Sequence, residues 1–214
     1  DDVQRLADQY LDSLLRADRH AASTLVLDAA SEGLDIHTIY LRVFQWSLRE
    51  IGRLWQTNRV TVAQEHYCTA ATQMIMSQLY PYIATDAEAG RSFIGTCVGR
   101  ELHEIGSRMV ADFLEMEGWD TTYLGANVPT ESLVDTVRRS GADVVGISAT
   151  MTFHIPHVRD TISRIRNSLN GENTRILVGG YPFNISPDLW RSVGADGSAS
   201  SASEAVRLAS DLVA

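Results

Sequence analysis

The sequence predicts a two-domain α/β chain in which a helical bundle precedes a parallel sheet covered on both faces. Three features of its 214 residues carry that expectation. Apolar residues recur at helical steps from Val3 to roughly Ile83, the period breaks at the small, polar stretch Asp86-Ala-Glu-Ala-Gly90, and short apolar runs then alternate with longer helical segments. A period near 3.6 marks one face of a helix, whereas brief apolar runs between amphipathic helices mark strands buried on both sides. The expected division is residues 1–85 for the bundle, 86–91 for a linker and 92–214 for the sheet domain.

The first helix sets Val3, Leu6, Ala7, Tyr10, Leu11 and Leu14 on one face. Asp18 suits the start of a second, because a carboxylate accepts one of the N–H groups that the first turn leaves unpaired. Ala22, Leu25, Val26 and Ala29 form its inner face, and Gly33 stops it where a left-handed residue is wanted. Asp35 caps a third helix carrying Ile36, Tyr40, Phe44, Leu48, Ile51 and Trp55, and Thr61 with Gln64 forms a capping box for a fourth. Four helices joined by short loops predict an antiparallel four-helix bundle.

Beyond the linker, strands are expected at Ser92 to Val98, Thr121 to Leu124, Val144 to Ser148 and Ile176 to Val178, with a weaker fifth at Ala195 to Ala199. Helices are expected near Glu104 to Glu117, Thr130 to Ser140, His157 to Leu169 and Ala202 to Leu212. Five such βα units fit a flavodoxin-like, parallel five-stranded sheet.

With 44% apolar and 21% charged residues, the chain has enough apolar material for two modest packed cores. A formal net charge of -9 disfavours a broad phosphate-binding surface and so argues against direct nucleic-acid binding. Cys68 and Cys97 lie far apart without paired metal-type spacing, which suits buried thiols in a reduced, cytoplasmic setting. No apolar run is long enough to span a membrane, and no basic, apolar leader is present. The chain opens at Asp1 inside an amphipathic pattern, as a piece of a longer chain would.

Ligands of an open parallel sheet collect outside the carboxyl ends of the strands. Immediately after the first strand comes Gly99-Arg100-Glu101-Leu102-His103-Glu104-Ile105-Gly106, an imidazole flanked by carboxylates. A lone loop histidine is ordinarily a solvated surface group. Here it belongs to Glu-x-His-x-x-Gly, followed after 41 residues by Ser148-Ala149-Thr150 and after a further 28 by Gly179-Gly180. Taken singly, the glycine pair reads as a turn, Ser148 as a strand-end cap and Gly106 as a site of close helix packing. Together they fall at the ends of the first, third and fourth strands.

This constellation resembles the cobalamin-binding fold shared by methionine synthase, base-off mutases, corrinoid methyl carriers and cobalamin photoreceptors. The resemblance covers about the last 120 residues. It implies that the cofactor's dimethylbenzimidazole tail leaves cobalt for a slot beside the sheet and that His103 replaces it as lower ligand. A neutral imidazole suits cobalt, and Glu101 bonded to the other ring nitrogen would fix the tautomer. Ser148 would offer its hydroxyl to the buried tail, while Gly179 and Gly180 would let the backbone approach a flat ring. Thr150 stands where the family more often has Leu.

In the helical half, Trp55 continues an apolar stripe as a core residue would, and Glu65-His66 reads as a solvated helix start. Their spacing, Trp-x9-Glu-His, nevertheless resembles the upper-face motif of adenosylcobalamin photoreceptors of the CarH type. That resemblance implies that Trp55, Glu65 and His66 enclose the adenosyl group, and that photolysis of the cobalt–carbon bond rearranges the bundle or a homo-oligomer for an unknown downstream effector. Two departures stand against it: Gln56 replaces a histidine of well-known members, and their amino-terminal DNA-binding domain is missing. Some relatives hold a bilin such as biliverdin as a second chromophore, and Met151, Phe153, His154, Tyr181 and Phe183 are candidates to line its site. Against ordinary loop packing this is the secondary expectation. The leading expectation is therefore a non-enzymatic, light-responsive adenosylcobalamin sensor, and the alternative is a corrinoid methyl carrier serving a separate methyltransferase. A third reading, the cofactor subunit of an isomerase, lacks a substrate barrel in this chain.

Overall fold

Asp1 accepts the Val3 N–H on its side chain and so starts α1 (Asp2–Leu15). Asp18 does the same for α2 (Arg19–Ser31) through Ala21, and the chain leaves α2 through Gly33 at φ +94°. Asp35 accepts the Thr38 N–H to begin α3, which runs without a break through Ile36–Thr38, a π-helical turn Ile39–Phe44 and Gln45–Gln56. The Thr61–Gln64 capping box opens α4 (Val62–Gln78), and a 3-10 turn, Tyr80–Tyr82, follows it. These four helices form one compact unit, Asp1–Ala84, of the computed structural model, which describes residues 1–168 and 173–214.

The core of this unit is aromatic at its centre. Tyr10 packs on Phe44 at 5.3 Å between ring centroids, and Phe44 packs on Tyr40 at 5.4 Å. The Tyr10 hydroxyl shares a buried 2.8 Å hydrogen bond with Thr72, which keeps a polar group satisfied inside the apolar interior. The π turn departs from the expected regular helix. It buries Ile39, Tyr40, Val43 and Phe44 together, and periodicity misses it because the steps of four from Ile36 through Tyr40 and Phe44 to Leu48 fit either winding.

The second unit, Thr85–Ala214, is built on a parallel sheet in the order β2-β1-β3-β4-β5, the flavodoxin-like winding. Its strands are β1 (Ser92–Cys97), β2 (Asp120–Gly125), β3 (Val144–Ser148), β4 (Arg175–Gly179) and β5 (Gly197–Ala199). Between and after them come α5 (Ile105–Met116), α6 (Thr130–Ser140), α7 (Ile155–Arg166), α8 (Tyr181–Ile185), α9 (Leu189–Val193) and α10 (Ala202–Leu212). The seventh helix begins earlier than expected because a 3-10 turn, Thr152–His154, leads straight into it; its expected end at Leu169 lies outside the described residues.

Strand alternation feeds two cores. Ile94, Val145, Ile147, Ile176 and Val178 face one way and pack with Leu133 and Val137 of α6 and Val158, Ile162 and Ile165 of α7. Phe93, Val144 and Leu177 face the other way with Ala111 and Leu114 of α5 and Ala209 of α10. Each fully buried side chain of this size contributes roughly 1.5–3 kcal/mol. The Phe93 ring lies across the neighbouring pair Gly95 and Gly146, where an added β-carbon would come within 2.9 Å and 2.7 Å of it. Both positions therefore need glycine for packing.

Because α5 and α6 cover opposite faces, the connections out of β1 and into β3 diverge, and a crevice opens between those strands at their carboxyl ends. The sheet register aligns the rim: Cys97 pairs with Ser148, Ser148 with Gly179, and Gly179 with Ala199. Among the described residues no helix is long and apolar enough to cross a membrane.

Candidate functional site

The loop after β1 is fixed by its own backbone before any side chain acts. Arg100 sits at φ +71° and donates its N–H to Asn127 Oδ1 at 2.7 Å, while the Asn127 N–H returns to the Glu101 carbonyl at 2.9 Å. This exchange ties the loop to the end of β2. It also turns the Glu101 side chain inward, where only 1% of the residue remains exposed.

Glu101 then joins the two loops that flank the crevice. Its Oε1 accepts the backbone N–H groups of Leu102 and His103, each at 3.0 Å, and His103 Nδ1 at 2.6 Å. Its Oε2 accepts the backbone N–H groups of Thr150 and Met151 from beyond β3, at 2.7 and 3.1 Å, and His154 Nδ1 at 3.0 Å. Burial alone would raise the pKa of this carboxyl. The hydrogen bonds from His103, Thr150 and His154 outweigh burial and hold it well below the usual carboxylate range. An ionised Glu101 is an acceptor only, so each imidazole presents Nδ1–H to it. The lone pair of a neutral His103 ring is thereby placed on Nε2, and the His103 side chain is 60% exposed.

The other positions singled out in the sequence surround this pair. Ser148 is half-buried at the end of β3, and its carbonyl accepts the Val98 N–H. Thr150 contributes its backbone N–H to Glu101. Gly180 lies at φ +106°, and an added β-carbon would sit 2.1 Å from the Ala149 oxygen, so the fold itself demands glycine there. Gly106, exposed at the start of α5, is different: an added β-carbon would meet nothing within 4 Å. No internal contact accounts for that glycine. Leu102, Met151, Phe153 and Tyr181 expose large apolar side chains in segments that follow β1, β3 and β4 at the same sheet edge. Beneath the loop, burial and then the nearby Glu101 and Glu104 charges push the Cys97 thiol up to about 12, which makes it inert.

Trp55, Glu65 and His66 belong to the helical unit. Trp55, in the last turn of α3, is 46% exposed, where the apolar stripe alone places it in the core. His66 Nδ1 lies 2.6 Å from Glu65 Oε2, and Glu65 Oε1 accepts the Thr69 hydroxyl, so these neighbours at the start of α4 bind each other. Sequence reasoning missed the part played by His154, which it set among rim residues. Phe153 and His154 are adjacent on one 3-10 turn, yet the ring of Phe153 is exposed and that of His154 is buried. Spacing alone carries no signal for that difference.

Comparison with known proteins follows the same division of the chain. A B12 binding domain model matches residues 91–207, and a second B12 binding domain model matches residues 6–80. Dimethylamine corrinoid protein 1 of Methanosarcina acetivorans is 28% identical over 217 residues, spanning 99% of each chain. The structure of the Methanosarcina barkeri monomethylamine corrinoid protein has the same fold, with a TM-score of 0.86 at 21% identity over 98% of this chain and 99% of that one. A chain of the Methanosarcina barkeri methanol:cobalamin methyltransferase complex shares the fold at a TM-score of 0.54 and 14% identity, over 98% of this chain and 80% of that chain.

These relatives overturn the photoreceptor expectation. It rested on Trp-x9-Glu-His, three residues in a helical half whose whole length aligns with a methylamine-type corrinoid protein. An apolar helix end followed by a capped acidic helix start produces such a pattern without a light-sensitive ligand, and Gln56 already broke it. The light-driven change of domain or oligomer arrangement falls with that expectation.

Proposed function

Because this chain belongs to the B12 binding domain family, we propose that it is a corrinoid methyl carrier, holding a cobalt corrinoid over the crevice for separate methyltransferases to load and unload. In this reading the chain is a cofactor-binding protein that carries a group for separate enzymes and is not itself an enzyme, in keeping with the corrinoid proteins to which it is similar. The observation that carries the reading is the His103–Glu101 pair at the carboxyl end of the sheet. The site fits the cofactor in its donor chemistry and its space. One imidazole oriented by a buried carboxylate suits a metal whose remaining ligands come mostly from its own macrocycle. The exposed apolar side chains at the rim suit a broad, flat ring, and Gly106 leaves room beside the ligand loop.

In this reading His103 Nε2 is the lower ligand, Glu101 fixes its tautomer, and Ser148, Thr150, Gly179 and Gly180 line the path of the nucleotide tail. The bound cobalt supplies a centre that accepts a methyl group and gives it up. With the photoreceptor expectation overturned, Trp55, Glu65 and His66 are residues of the helical unit with no assigned cofactor contact, and the group carried on cobalt is a methyl group in place of the adenosyl group that the sequence suggested. The donor is a methylated amine, in keeping with the dimethylamine and monomethylamine corrinoid proteins named above. A bilin has no place in this reading, because His154 is buried and committed to Glu101. The setting is cytoplasmic, with Cys68 and Cys97 as buried free thiols.

The test loads the chain with cobalamin, reduces it, and supplies mono-, di- or trimethylamine together with the methyltransferases of its own host. Appearance of the methylated corrinoid spectrum on the chain supports the proposal. A fully loaded chain that stays unmethylated with all of them overturns it.

A further inference from the structure

We infer that His154 is a positioning residue for His103: it shares the charge of Glu101 and so sets how strongly that carboxylate pulls on the His103 Nδ1–H. The inference rests on the reading of His103 as the cobalt ligand, but the contact on which it is argued belongs to the protein alone. Glu101 accepts six hydrogen bonds, four from backbone N–H groups and two from imidazoles. The backbone donors are fixed by the fold. The two imidazoles are the side chains through which sequence adjusts the carboxylate, and they approach opposite oxygens, His103 at 2.6 Å and His154 at 3.0 Å.

A carboxylate has one negative charge to distribute. A donor on Oε2 draws charge away from Oε1, so the bond to His103 is weaker with His154 in place than without it. That bond in turn governs the electron density at Nε2, since a stronger pull on Nδ1–H makes the ring a better donor to metal. His154 is buried, which keeps water from replacing it, and its ring is held edge-on by Phe153 at 4.4 Å between centroids. His157, exposed one turn on, sets its ring edge-on to His154 with centroids 6.3 Å apart. Among the described residues, the charged partner of His154 is Glu101.

The experiment follows the histidine ring signals of the cofactor-free chain by nuclear magnetic resonance, comparing wild type with His154→Ala and His154→Asn. The Asn side-chain amide can donate from nearly the position of Nδ1, whereas Ala cannot. The expected result is a downfield shift of the His103 Nδ1 proton in His154→Ala and a signal close to wild type in His154→Asn. Should His154→Ala not fold, His154→Ser and His154→Asn are compared with wild type in the same way, and the Ser variant, whose shorter side chain falls away from Oε2, takes the place of Ala. An unchanged His103 signal in every folded variant, or equal shifts in the donor and non-donor variants, would overturn the inference by reducing His154 to a space-filling role. Because the signals are read without cofactor, this outcome is independent of cobalamin binding by His103→Ala, which tests the ligand assignment.

Discussion

The carboxylate of Glu101 accepts the backbone N–H of Thr150 at 2.7 Å, closing a link between residues 49 apart in sequence. One oxygen serves the loop after β1 and the other serves the loop after β3, so the crevice between the two strands is spanned by a single side chain. The loop after β1 is thereby held by contacts within the chain itself.

Replacing Glu101 by Gln keeps the volume but turns one of the two oxygens into an amide donor. Whichever way the amide is turned, it faces N–H groups that need an acceptor. Leaving such donors unpaired costs about 1–3 kcal/mol each, and Glu101→Gln is expected to lose roughly 2–4 kcal/mol of folding stability because part of the site remains within reach of water. Urea denaturation of the cofactor-free chain measures it. A loss well under about 1 kcal/mol would mean that the six contacts are not all present in solution.

Acid should act through the same residue. The folded state holds the Glu101 carboxyl below its ordinary value near 4.5, so its contribution to stability is complete above that pH and is lost as pH falls toward the folded-state value. Asp35, Glu50, Asp135 and Glu204 are also held low, but they lie at exposed or half-buried positions where solvent weakens the effect. Wild type should therefore lose stability more steeply than Glu101→Gln between roughly pH 5 and pH 3. Parallel acid limbs in the two proteins would exclude Glu101 as the source.

Two glycines separate fold from ligand. Gly180→Ala drives a β-carbon to within 2.1 Å of the Ala149 oxygen at a left-handed φ and should cost at least about 1–3 kcal/mol. Gly106→Ala meets no atom of the chain and should leave thermal stability unchanged or slightly raised, since alanine favours a helix. It should nevertheless weaken cobalamin binding if the corrinoid packs there. Equal affinities for wild type and Gly106→Ala would remove Gly106 from the site.

Much of this was legible in the sequence, for physical reasons that also mark where legibility ends. Asp18, Asp35 and the Thr61–Gln64 pair announce helix starts because capping is local chemistry, and each caps in the structure as its sequence position implies. Val144 to Ser148 is bounded as a strand by its apolar run, and the sheet winds in the flavodoxin-like order. The five-residue helices Tyr181–Ile185 and Leu189–Val193 are too short for a period to show. At the site, Glu101 and His103 stand two residues apart and their pairing could be read directly. His154 could not, because its contact with Glu101 spans 53 residues and exists only once β1 and β3 lie side by side. The helical-half motif misled for the complementary reason: Trp55, Glu65 and His66 match a pattern by spacing, and spacing alone does not say which upper group, if any, they meet.

The central claim is that a protein imidazole, that of His103, holds cobalt in place of the cofactor's own base. Electron paramagnetic resonance of the bound, one-electron-reduced cobalamin tests it most directly, using chain grown with histidine labelled in the spin-one-half nitrogen isotope and unlabelled cofactor. Each cobalt line is then split by the nitrogen below the ring. The account expects doublets from the labelled histidine, lost in His103→Ala. Triplets, which only the unlabelled benzimidazole can give, would contradict it.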